Sequence, residues 1–138
     1  MVSPYAGSGA AGVFRVDFID PRGAAHFQSV RVLINGILDG SKACYVYYVR
    51  QKHSFLLVED AGRNSTALTA GGGGSVQNGQ CRLDGAESSA FPEPDRLSIR
   101  LKLTFFPSFY GEKQIFLASD DVEGKSTALE SSGSWSVP

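Results

Sequence analysis

Two cysteines, Cys44 and Cys81, two histidines, His26 and His53, and two short clusters of carboxylates carry most of the chemistry available to this chain of 138 residues. Catalysis needs a nucleophile beside a base, carboxylates in contrasting environments, or a metal. Each histidine stands alone in a polar, turn-like stretch, and no Cys-x-x-Cys or Gly-x-Ser-x-Gly motif is present. Both histidines are therefore expected at the surface, and no enzymatic activity is expected. The run Gly71 to Gly74 is followed by Ser75-Val76-Gln77-Asn78. A phosphate-cradling loop would continue with lysine and Ser/Thr into a helix, so this run reads as a flexible loop.

The cysteine count is even and each cysteine lies in an extended segment, which favours a Cys44–Cys81 disulfide over a pair of buried thiols in a cytosolic protein. Asp17 and Asp20 precede the first turn, while Asp120, Asp121 and Glu123 crowd the last one. Carboxylates with turn carbonyls are the oxygen ligands that calcium takes. Neither cluster has EF-hand spacing, and aspartate at turns commonly serves the backbone. No cofactor is expected, with calcium at these two turns as the alternative. Among nine Phe, five Tyr and one Trp, Tyr45 and Tyr47 stand out. If Cys44 faces the core, both tyrosines face the other side of the same strand, where they could stack on a sugar ring or be covered by a neighbouring strand or loop.

The elements that would position these groups are strands. Val13 to Phe18 places Phe14, Val16 and Phe18 on one face, and Val30, Val32 and Ile34 share a face of Ser29 to Asn35. Ala43 to Arg50 and Phe55 to Val58 read as a hairpin joined by Gln51 to Ser54. Val76 to Leu83 is extended around Cys81. The clearest alternation runs from Leu97 to Phe105, five apolar residues against four polar ones, the pattern of a strand with one wet side. Gln114 to Ser119 and Gly133 to Val137 complete the set. Asp20-Pro21-Arg22-Gly23, Asn35-Gly36 and Asp120 to Lys125 read as turns, residues 61–75 and 85–95 as loops. No segment shows helical periodicity. The expected fold is all-β, an immunoglobulin-like antiparallel β-sandwich of about seven to nine strands, with residues 1–12 as a linker-like N-terminus to one module spanning 1–138.

Composition narrows the function classes. The formal net charge is −1, from 13 basic and 14 acidic side chains, and the arginines never cluster, so a nucleic-acid or anionic-membrane partner is not expected. No apolar stretch reaches transmembrane length, so no membrane insertion is expected. Met1-Val2-Ser3-Pro4 does not open a signal peptide, and the proline-bearing ends read as those of an excised tandem module.

From Ser29 onward several motifs recur together: Ser-Val-x-Val-Leu-Ile-Asn (29–35), Ala-Cys-Tyr-x-Tyr-Tyr (43–48), Asp-Ala-Gly (60–62), Asn-x-Gln-Cys (78–81), Leu-Thr-Phe (103–105), Pro-x-Phe-x-Gly (107–111) and Gly-Ser-Trp-Ser-Val-Pro (133–138). With them the chain resembles a repeated module of large secreted bacterial proteins, and Phe116 to Ser126 is similar to the closing hairpin of immunoglobulin-like and cadherin-like repeats. The resemblance implies a secreted or cell-surface setting and neighbouring domains of the same polypeptide as partners. It implies no particular activity. The expected role is that of a spacer or adhesion module contacting a cell-surface protein or a glycan, the alternative being a carbohydrate-binding module attached to a secreted enzyme.

Overall fold

The computed structural model describes residues 1–138. The chain forms β1 (Val2–Ser3), β2 (Ala11–Ile19), β3 (Phe27–Asn35), β4 (Cys44–Val49), β5 (Ser54–Val58) and β6 (Ser65–Thr69). It continues with β7 (Ser75–Gln77), β8 (Cys81–Asp84), β9 (Ser89–Glu93), β10 (Arg96–Phe105), β11 (Gly111–Asp121) and β12 (Glu130–Val137). Helix is limited to three single 3₁₀ turns, at 24–26, 50–52 and 107–109. The strands make two antiparallel sheets of six. The first has the order β1-β2-β10-β8-β7, with β9 also on β10, and the second has the order β12-β11-β3-β4-β5-β6. The architecture is an all-β sandwich.

Period-two alternation sets the core. Strand β10 pairs with β2 from Arg96 opposite Ile19 to Thr104 opposite Ala11. That register puts Leu97, Ile99, Leu101 and Leu103 in one buried layer with Phe14, Val16 and Phe18. The facing sheet contributes Val30, Val32 and Ile34 from β3, Cys44, Val46 and Tyr48 from β4, and Ile115 from β11. Trp135 on β12 closes one end, its ring 5.0 Å from that of Phe14, its indole N–H donating to the Gly9 carbonyl at 2.9 Å. A one-residue slip in any of these strands would turn the whole buried set to solvent, so the pattern fixes the register.

Four segments differ from the sequence expectation. Residues 1–12 are not a linker. Val2 is buried, β1 pairs with β2, and the backbone from Tyr5 to Gly9 bonds to Ser134 and Ser136 of β12. The open side of β12 needs backbone partners, and the glycines allow close approach: a Cβ on Gly7 would lie 2.7 Å from the Trp135 ring. Residues 61–75 and 85–95, read as loops, contain β6 and β9. Both are five-residue outer strands with few buried side chains, which is why neither carries an apolar signature. Val76 to Leu83, read as one strand, is two, β7 and β8, divided by the Asn78-Gly79-Gln80 turn.

Candidate functional site

Cys44 on β4 and Cys81 on β8 form a disulfide with Cα atoms 5.7 Å apart. Because β4 belongs to one sheet and β8 to the other, the bond ties the two sheets together, and both cysteines are fully buried. Beside it sits a group the sequence reading missed. The Asn78 Oδ1 accepts the N–H groups of Gln80 and Cys81 at 2.8 and 2.9 Å, which folds the turn into β8. Its Nδ2 donates to the carbonyls of Ala43 and Val58 at 2.8 and 2.9 Å, on the other sheet. The Asp60 carboxylate adds a bond from the Gly79 N–H. The signal available in the sequence was an asparagine three residues before a cysteine, the spacing of a side chain capping its own turn.

Tyr45 and Tyr47 do lie on the face of β4 opposite Cys44, on the outside of the sandwich. They are not a flat platform. Tyr45 is only 9% exposed, packed with Leu33, Ala43 and Val58, and Gly40 approaches its ring so closely that a Cβ there would be 3.1 Å away. The two rings are tilted by 44°, and their hydroxyls share a hydrogen bond of 3.1 Å. Arg31 on β3 donates to the Tyr45 hydroxyl at 3.4 Å and lies over the Tyr47 ring at 5.8 Å. Burial, with the bond shared with Tyr45, pushes the Tyr47 phenol up to about 12. Half-buried Tyr47 forms one wall of a surface hollow of about 190 Å³ with Leu56, Val58, Arg63 and Asn64.

The acidic turns are engaged by the chain itself. Asp17 accepts the Ser98 hydroxyl and Arg15. Desolvation works against its charge, but these donors outweigh it and hold the carboxyl below the ordinary aspartate value. Both oxygens of Asp20 take Arg22, and that bond lowers its carboxyl in the same way. Asp120 accepts from Ser29, Arg31 and Ser126. Asp121 accepts the backbone N–H groups of Lys125 and Glu123 at 2.9 Å, which lower its carboxyl, and Glu123 faces Arg22 at 3.7 Å. The fold thus brings the first turn and the last turn together. No group of three or more His, Cys, Asp or Glu side chains is spaced to hold a metal ion.

His26 was expected at the surface and is not there. It is 8% exposed, with its Nε2 3.3 Å from an Asp121 oxygen and 3.8 Å from an Asp20 oxygen. The 3₁₀ turn at 24–26 carries it under the junction of the two acidic turns, a contact between residues too far apart in sequence to be foreseen. His53 occupies a left-handed position after β4 and its Nδ1 bonds the Tyr48 hydroxyl at 2.8 Å.

The structure defines a disulfide-bonded, two-sheet all-β sandwich, and no helix in it is long and apolar enough to cross a membrane. No protein-family model matches the sequence, and neither curated proteins nor solved structures show significant similarity to it.

Proposed function

We propose that this chain is a non-catalytic immunoglobulin-like module of a secreted or cell-surface multidomain protein, serving as a spacer or adhesion unit between neighbouring domains. The observation that carries the reading is the buried Cys44–Cys81 disulfide, which joins the two sheets and suits an oxidising compartment. The resemblance of the sequence motifs to those of secreted repeat modules supports the same setting.

Small-angle scattering from chains of two and four joined copies tests this. The maximum dimension should grow by a near-constant step per copy. A dimension that stays flat, because copies fold back on one another, would count against a spacer.

One observation favours a second reading as a carbohydrate-binding module: the hollow beside Tyr47 offers an aromatic wall, an apolar floor and an arginine at its rim. Pull-down with polysaccharides, wild type beside Tyr47→Ala, separates the readings. Retention lost in the variant supports the glycan site, and equal retention by both removes it.

A further inference from the structure

Outer strands of a sheet present unpaired N–H and C=O groups, and folded proteins usually block them. Here every outer strand but one is visibly blocked. Strand β1 has two residues and β7 has three. Strand β9 carries Pro92 and Glu93, and β12 is covered by residues 5–9. Strand β6 has no such device. Its sequence, Ser65-Thr66-Ala67-Leu68-Thr69, holds no charge, proline or glycine; it pairs only with β5, and every residue but Leu68 is exposed.

The direction of its free groups follows from the bonds at its two ends. The Ala70 N–H donates to the His53 carbonyl and the Glu59 N–H to the Asn64 carbonyl. Since bonding alternates along an antiparallel strand, Thr66 and Leu68 bond to β5. Ser65, Ala67 and Thr69 then turn their backbone groups to the open side, where the Thr69 carbonyl also accepts the Gly72 N–H at 3.1 Å.

We propose that β6 is a self-pairing edge, joining two copies of this chain as an antiparallel β6–β6 pair about a twofold axis at Ala67. The edge is complementary to itself. Ala67 would oppose its own copy, Ser65 would oppose Thr69, and Thr66 would oppose Leu68, so only uncharged residues meet and no charge is brought against its like. The nearest charges in sequence, the two copies of Arg63, would lie roughly 25 Å apart along the strands, well beyond a Debye length of about 8–10 Å. On the outer face Tyr47, Leu56 and Ala67 stand in one row across β4, β5 and β6. Pairing would continue that row into the same row of the second copy. The contact is short, so the association is weak and reversible. It does not depend on the spacer reading, and either can fail alone.

Sedimentation equilibrium over about 10 µM to about 1 mM reads the association directly. Wild type should show a monomer–dimer equilibrium. Ala67→Lys puts two like charges opposite each other on the axis, and should weaken dimerisation roughly tenfold or more, with part of the loss recovered in high salt. Ala67→Pro removes an outward N–H but none of the bonds to β5, and should weaken it without the salt response. It serves as the readout should the lysine variant misfold. A wild type that remains monomeric throughout, or folded variants that dimerise as wild type does, would overturn the proposal.

Discussion

Four hydrogen bonds converge on the side chain of Asn78, two from the turn it caps and two to carbonyls of the opposite sheet. Asn78→Ala strands those partners and is expected to lower stability by about 2 kcal/mol or more, whereas Asn64→Ala, at an exposed position, should stay within about 0.5 kcal/mol. Denaturant titration of both variants checks this; equal costs would deny Asn78 its bridging role. The carboxyl groups of Asp17, Asp20 and Asp121 are all held below the ordinary value in the folded chain. Groups depressed in this way contribute stability above their unfolded pKa, about 3.9, and lose it as pH falls through the folded value. The urea midpoint should therefore fall as pH drops below about 4, and a midpoint that holds or rises there would contradict the assignments. At this scale the sequence was read unevenly. The cysteine pair was legible because pairing needs only two residues of one type. His26 was not, because its burial depends on turns that meet only after the chain has folded.

Strands with one buried face announced themselves, and strands at the rim did not. The apolar residues of β10 and β2 alternate because they face the core, although Ser98, on the outer face of β10, is buried as well through its bond to Asp17. β6 and β9 bury little, and Pro92 inside β9 reads as a loop until its place on the outer side of β10 is seen. The tyrosine face was right for the same reason that β10 was, since alternation about Cys44 requires it. The cover over Tyr45 comes from the Gly40 region and could not be read from β4. The face assignment of β10 can be tested within the one strand. Leu101→Asp puts an unpaired charge into the core and should unfold the domain, a cost of several kcal/mol against a total of about 5–15, while Lys102→Asp should leave a cooperative transition close to wild type. Similar losses from both would mean that the faces are wrongly assigned. The acidic turns make a separate test. Their carboxylates are bonded by protein donors, so chelator and added calcium should give melting temperatures within about 1 °C of each other. A shift of several degrees would place a calcium ion in the junction of the first and last turns.

In the molecule as a whole, two sheets face one another across a single core and are linked by Cys44 and Cys81. The bond also connects fold to setting, since structural disulfides persist in oxidising compartments. Closing a loop of this size by a cross-link should contribute about 3–4 kcal/mol, with 37 positions separating the two cysteines. The most direct measurement is thiol alkylation of the unfolded, unreduced protein, followed by intact mass and by a denaturant titration with and without reductant. No thiol should be labelled before reduction, both should be labelled after it, and the reduced chain should unfold at a clearly lower denaturant concentration. Two labelled thiols before reduction, in protein recovered under oxidising conditions, would contradict the disulfide-linked sandwich and the proposal of an extracellular module built upon it.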